Sequence, residues 1–298
     1  MANASTEHHP ASLGIRTTFI GIIVNAALAL VKGIAGYTGN SYALIADAIE
    51  SANDVITSFI VIGGLRIAAK PRDENHPYGH GKAEPIAAMI VALSLVGAAA
   101  TIILQSIHEI VTPHHAPAPF TLIVLIIAVI AKESLFRFVF RVGEHVQSTA
   151  VKTDAWHHRS DAITSAAAFT GISIALIGGG GYESADDWAA LFASAIIIYN
   201  AYYLFRPALD EVMDTAPPPY IEDNVRSTAL AVPGVLRLDK CYVRKMGLDY
   251  FVDLHVVIDG NIPVREGHLI GHNVKDAICS SNERIIDVLI HIEPDTFA

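Results

Sequence analysis

The sequence predicts a membrane all-α bundle of six transmembrane helices followed by a small α+β domain. Three observations carry this. The chain is 52% hydrophobic and 17% charged, with a mean hydropathy of +0.42, whereas a soluble domain carries about a quarter charged residues. The apolar residues gather into six long stretches. From about Asp210 onward the apolar pattern shortens and alternates, as in short strands and helices. The expected layout is a polar tail over 1–12, a transmembrane domain over 13–209 and a C-terminal domain over 210–298.

The six spans run roughly Ile15–Tyr37, Tyr42–Ala69, Pro85–Val111, Phe120–Phe140, Trp156–Ile177 and Trp188–Leu204. Each has at least the ~17 residues that a transmembrane helix needs at ~1.5 Å per residue. The first twelve residues are polar and no small-residue cleavage site follows the first span, so that span is expected to remain in the protein. Basic residues set the orientation. Gly36–Ser41, Thr112–Pro119 and Gly178–Asp187 contain no Lys or Arg, whereas Lys70, Arg72 and Lys82 flank the second loop and Arg137, Arg141, Lys152 and Arg159 the fourth. Arg206 follows the last span. Both termini are therefore expected in the cytoplasm, with the protein in the cell's inner or plasma membrane.

Beyond the spans, residues 220–231 read as a helix closed by Pro233-Gly234. VLRLDKCYVRK and DYFVDLHVVID read as strands joined by a hairpin at Met246-Gly247. In the second strand Tyr250, Val252, Leu254, Val256 and Ile258 alternate with Asp253, His255 and Asp259. VREGHLIGHNVKDAICS reads as an amphipathic helix and IIDVLIHIEP as a last strand, giving the order αββαβ. The two cysteines, Cys241 and Cys279, are too far apart for a CxxC site and read as reduced, buried thiols. A formal charge of −10 excludes a nucleic-acid binder and suits a cationic ligand.

The side chains that cost most in a membrane point to chemistry. In YALIADAIESANDVITSFIVIGG, Asp47, Glu50 and Asp54 are three, four and seven apart and share one helix face. A charged carboxylate at the bilayer centre costs ~2.5–3.5 kcal/mol on insertion scales, and packing alone does not require it. DAWHHRSD places His157 and Asp161 four apart at the start of the fifth span, while His158 points elsewhere. Together the two helices can offer one imidazole and three carboxylates, the donor set of a four-coordinate divalent metal. With no thiolate, Cu(I) is disfavoured. The loop KPRDENHPYGHGKAEP spaces Asp73, His76 and His80 three and four apart around Pro77 and Gly79. That arrangement suits either a metal or capping and packing.

The string DENHPYGHGKAE, the acidic face of the second span and the HxxxD of the fifth resemble the cation diffusion facilitator family of divalent-metal exporters, over nearly the whole chain. The resemblance implies a transmembrane metal site at Glu50, Asp54, His157 and Asp161, with Glu50 where Asp or His is common and Asp47 as a fallback one turn earlier. It implies a loop site at Asp73, His76 and His80, and a charge interlock between Lys82 and Asp214. The αββαβ domain resembles the family's metallochaperone-like domain. There the family positions suggest regulatory metal at His255, His268, His291 and Glu293, with Asp239 where a histidine often stands; satisfied surface histidines are the alternative. His268 and His272 are four apart on the helix. His8, His9, His114 and His115 carry no expected role.

The function expected is efflux of a divalent metal, Zn2+ first, by exchange with protons. Zn2+ suits imidazole with carboxylate and outcompetes iron and manganese by the Irving–Williams order. Fe2+ or Mn2+ export is the alternative within the family, prompted by the oxygen-rich site and Glu50. The expected partners are the metal ion, protons, the bilayer and a second copy of the chain, with no resident cofactor. A membrane metalloenzyme is disfavoured because His108-Glu109 does not continue as HExxH and no GxSxG occurs. A metal-sensing scaffold without transport leaves the buried carboxylates unexplained.

Overall fold

The computed structural model describes residues 10–38, 42–111, 119–178 and 185–295. Six long helices come first: α1 Pro10–Thr38, α2 Tyr42–Ala68, α3 Ala83–Val111, α4 Thr121–Val146, α5 Thr149–Gly178 and α6 Ala185–Val212. Then follow α7 Pro219–Leu230, β1 Arg237–Met246, β2 Asp249–Ile258, α8 Val264–Ser281 and β3 Ile285–Pro294. The chain divides into two compact units, Met1–Leu209 and Asp210–Ala298.

The helical unit is apolar outside and polar inside. Phe19, Ile23, Leu30, Ile56, Phe59, Leu93, Leu104, Ile130 and Phe192 are exposed, while Asn25, Lys32, Asp54, Lys132, Asp154, His157, His158 and Asp161 are buried. In water this arrangement would waste apolar area and strand polar groups. In lipid it is the expected one, because the outer face meets hydrocarbon and ionisable groups retreat to the bundle interior. Among the described residues, Ser12–Ala35, Ala83–Val111 and Asp187–Val212 are long and apolar enough to cross a membrane by length and composition alone. The helices α2, α4 and α5 carry Asp54, Lys132, Asp154 and Asp161 in buried positions and depend on their neighbours to cover them.

Small residues bring the helices together. A Cβ on Gly64 of α2 would collide with Ala87 of α3, and one on Gly143 of α4 would meet Lys152 of α5. Val61, Leu65, Ala87, Ala88, Val91, Leu135, Phe136 and Val139 form one buried cluster of this unit.

The boundary of α5 differs from the sequence expectation. It begins at Thr149, seven residues before the expected Trp156, so DAWHHRSD lies inside the helix rather than at its mouth. The reason is capping, which hydropathy does not see. Gln147 ends α4 in the left-handed conformation at φ 58°. Ser148 Oγ then accepts from Val151 N at 3.2 Å. Glu84, from α3, accepts from Ser148 Oγ at 2.5 Å and from Ala150 N at 2.7 Å. A buried carboxylate therefore satisfies donors that the first turn leaves free.

The second unit has a three-stranded sheet in the order β1-β2-β3. β1 and β2 are antiparallel, joined through Gly247 at φ +67°. β2 and β3 are parallel, which requires the α8 crossover. Tyr250, Val252, Leu254, Val256 and Ile258 are all buried and pack with Val225 and Ala229 of α7 and Val274 and Ile278 of α8. Glu211, at the start of this unit, accepts from Lys245 Nζ at 2.8 Å and Gly247 N at 3.0 Å. Cys241 is buried, Cys279 half-buried, and both are free thiols. Burial pushes the Cys241 thiol up to about 11.

Candidate metal centre

Asp54 projects from α2 and His157 and Asp161 from α5, and all three are buried. One ligand atom from each lies within 4.8 Å of the others. His157 and Asp161 meet because i,i+4 positions share a helix face; Asp54 joins them because α2 packs on α5. His157 Nε2 is 2.6 Å from Asp54 Oδ1. Glu50 and Asp47 lie on α2, but their side chains fall outside the described residues.

A lysine that the sequence reading did not single out completes the group. Lys132 Nζ, from α4, donates to Asp54 Oδ2 at 2.6 Å and to Asp161 Oδ2 at 2.7 Å, and its side chain is 0% exposed. The signal was present in TLIVLIIAVIAKESLF, where a cation interrupts an apolar run. Lys32 of α1 is a second fully buried lysine and donates to Ser51 Oγ at 3.0 Å.

Beside this group lie Asp154 and His158, both fully buried. Asp154 Oδ1 accepts from Ser58 Oγ at 3.4 Å. Among the described residues, Asp154 Oδ2 and both His158 ring nitrogens have no hydrogen-bond partner; Asp154 Oδ2 stands 3.9 Å from His158 Nε2. Arg159 leaves the polar interior and stacks on Phe136 and Trp156, at 4.6 and 5.0 Å from the ring centroids.

Two further groups offer ligands. In the loop between α2 and α3, Asp73, His76 and His80 approach within 4.8 Å. Asp73 Oδ1 accepts from Asn75 N at 3.0 Å and His76 N at 2.7 Å, a local Asx turn, and His76 Nδ1 lies 3.0 Å from it. The His76 backbone N–H foremost holds the Asp73 carboxyl below its usual range. Its other oxygen, Oδ2, faces His80 Nε2 at 3.4 Å. The loop thus carries both the turn geometry and a second carboxylate oxygen turned toward His80.

In the sheet, His255 pairs with His291 in the parallel register of β2 and β3. Their rings lie 4.7 Å apart, and His255 Nδ1 is 2.6 Å from Glu293 Oε1. His255, His291 and Glu293 form the third group. Asp239 and His268 are not part of it. Asp239 is exposed within the irregular register between Leu238 and Cys241. His268 pairs instead with His272 along α8, Nε2 to Nε2 at 3.1 Å. Lys82 precedes α3, and Asp214 follows α6 at φ 60°; they belong to different compact units. His8, His9, His114 and His115 lie outside the described residues.

Residues 18–213 match the cation efflux transmembrane domain family, and residues 217–295 match the cation efflux protein cytoplasmic domain family. The chain is 31% identical over 283 residues to the manganese efflux system protein MneP of Bacillus subtilis, covering 94% of this chain and 95% of that protein. It is 28% identical over 288 residues to the cation-efflux pump FieF of Cronobacter sakazakii, covering 96% and 95%. A solved structure of MamM-CTD is 25% identical, covers 26% of this chain and 96% of that chain, and has a TM-score of 0.25.

Proposed function

The chain belongs to the cation diffusion facilitator family of divalent-metal efflux transporters, and from that premise we propose that it exports a first-row divalent metal in exchange for protons through Asp54, His157 and Asp161. It is an integral, multi-pass membrane transporter with a cytoplasmic C-terminal domain and not an enzyme. The observation that carries the reading is the buried group of one imidazole and two carboxylates drawn from two helices. Glu50, four residues before Asp54 on α2, is the further ligand in this reading.

Metal ligation needs a neutral imidazole and ionised carboxylates, so loading releases protons and unloading takes them up. Histidine is the side chain whose ordinary titration falls in the physiological range. A site that loads on the cytoplasmic side and unloads on the outer side thereby moves metal outward and protons inward. Both termini are cytoplasmic in this reading, as the arginines and lysines of the inner loops favour. The transporter works as a homodimer, to which the family's cytoplasmic domain contributes. The loop group and the sheet group are the accessory metal sites.

Zn2+ is the first cargo in this reading, because one imidazole with carboxylates suits it and the affinity order favours it over Mn2+ and Fe2+. Mn2+ is the second reading, favoured by the manganese-efflux relative and by a donor set rich in oxygen. Competition flux into proteoliposomes across Zn2+, Mn2+, Fe2+, Co2+, Ni2+ and Cd2+ decides between them. Flux that ignores an imposed pH gradient removes proton exchange. Metal binding without any flux leaves a sensing scaffold.

A further inference from the structure

Lys132 draws on the carboxylates that a metal at this centre needs. Asp54 Oδ2 and Asp161 Oδ2 both accept from its ammonium, and Asp54 Oδ1 is taken by His157. A metal held by Asp54 and Asp161 would draw on the same two carboxylates that Lys132 Nζ bridges. The two cations therefore compete for them.

We propose that Lys132 is a tethered cation of the transport site, displaced from Asp54 and Asp161 when a divalent metal binds and returning to them when the metal leaves. The proposal rests on the reading of Asp54, His157 and Asp161 as cargo ligands and deepens it. Lysine fits the part because its charge is compact and carried on a flexible four-carbon stem, whereas an arginine fork would grip the carboxylates in a fixed geometry. Its cost in an otherwise apolar stretch of α4 is hard to explain by packing.

The displaced ammonium also has somewhere to go. Asp154 lies seven residues before Asp161, on the same face of α5. It is fully buried, and its Oδ2 has no hydrogen-bond partner among the described residues. Asp154 is therefore the resting place of Lys132 when metal holds Asp54 and Asp161. The pair sets how tightly cargo is held. Lys132 competes against it, and Asp154 relieves that competition.

The alternative is that Lys132 is a fixed counter-charge keeping two aspartates together, and the two roles predict opposite signs. The test measures Mn2+ and Zn2+ affinity by calorimetry on the full-length protein in nanodiscs, on a His80→Ala, Glu293→Gln background that disables the accessory groups. Flux in proteoliposomes gives KM and maximal rate. Lys132→Gln is expected to tighten Kd about tenfold, equivalent to ~1.4 kcal/mol, and to lower KM while slowing maximal flux, because release loses its competitor. Lys132→Arg is expected to weaken binding. Asp154→Asn is expected to weaken binding when Lys132 is present and to have no effect once Lys132 is Gln. Unchanged or weaker binding by a folded Lys132→Gln variant overturns the proposal.

If that variant does not fold, side-chain 15N-lysine spectra of the unsubstituted protein serve instead. Saturating Mn2+ or Zn2+ must shift the Lys132 ammonium signal, and an unmoved signal overturns the proposal equally. Asp161→Asn separates the two levels. If it binds metal normally, the ligand reading fails; if it loses metal while Lys132→Gln binds normally, only the role of Lys132 fails.

Discussion

His157 Nε2 stands 2.6 Å from Asp54 Oδ1, across the interface of α5 and α2. One hydrogen bond thus joins two helices through the two atoms best suited to hold a metal. A metal bound by both atoms replaces that shared proton with two bonds to the ion. On the proposed reading, loading the site changes what ties α2 to α5.

Asp54→Asn should reduce metal flux at least about a hundredfold, in line with the 10–100-fold losses seen even when outer partners of metal ligands are removed. His157→Asp should keep binding but shift preference toward Mn2+, because an oxygen donor replaces nitrogen. Proteoliposome flux for Zn2+ and Mn2+ measures both. Asp47→Ala should do less harm than Glu50→Ala; the reverse order would move the fourth ligand one turn along α2.

Glu84→Ala should destabilise the helical unit, because Ser148 Oγ and Ala150 N lose their buried acceptor. A stranded buried donor costs about 1–3 kcal/mol. Thermal unfolding in detergent should register the loss, whereas Glu133→Ala, at an exposed i,i+4 pair with Arg137, should leave the midpoint unchanged.

Metal at the sheet group should tie β2 to β3. With free Zn2+ at about 100 times Kd, the gain is ~2.7 kcal/mol, seen as slower amide exchange of both strands in the full-length protein. Glu293→Gln should remove that protection by deleting the carboxylate next to His255. His268→Ala should retain it, since His268 stands apart from the group.

Cys241 should resist iodoacetamide at pH 8 and react only toward pH 11. Burial raises its thiol from 9.0 to about 11, and the thiolate is the reactive form. Because the folded value lies above the unfolded one, the neutral thiol stabilises the domain below about pH 9, and this contribution fades as the pH rises to 11. Half-buried Cys279 should alkylate first, as mass spectrometry of the full-length protein will show; equal labelling at pH 8 would contradict the assignment.

Charge reversal at Lys82 should lower flux and weaken dimerisation, with recovery when Asp214 is also reversed. A double-mutant cycle on flux and on dimer affinity checks this. Purely additive losses would mean that the two residues act independently.

Much of the fold was legible because each element repeats one simple period. Alternation in DYFVDLHVVID gave β2 and its buried face, and Met246-Gly247 gave the hairpin. Helix boundaries were less legible. The polar first two turns of α5 do not look like a membrane segment, and Glu84, from 64 residues away, joins the local Ser148 cap in satisfying that start. Asp239 and His268 carried ligand chemistry but no information about distance. The irregular register of β1 and the pairing of His268 with His272 keep them from the group that His255, His291 and Glu293 form.

The sequence by itself determined which side chains are out of place in an apolar chain, and helical spacing placed His157 with Asp161 on one face. Spacing along a helix is a local property, so those assignments needed no tertiary information. What Asp54 and Asp161 actually hold was decided by the tertiary structure alone. Lys132 is 78 residues from Asp54 and 29 from Asp161, and it reaches them only because α4 packs on α5 while lipid-facing residues turn outward. An isolated lysine in an apolar run announces that a partner must exist, since a buried charge cannot stand alone; only packing names the partner.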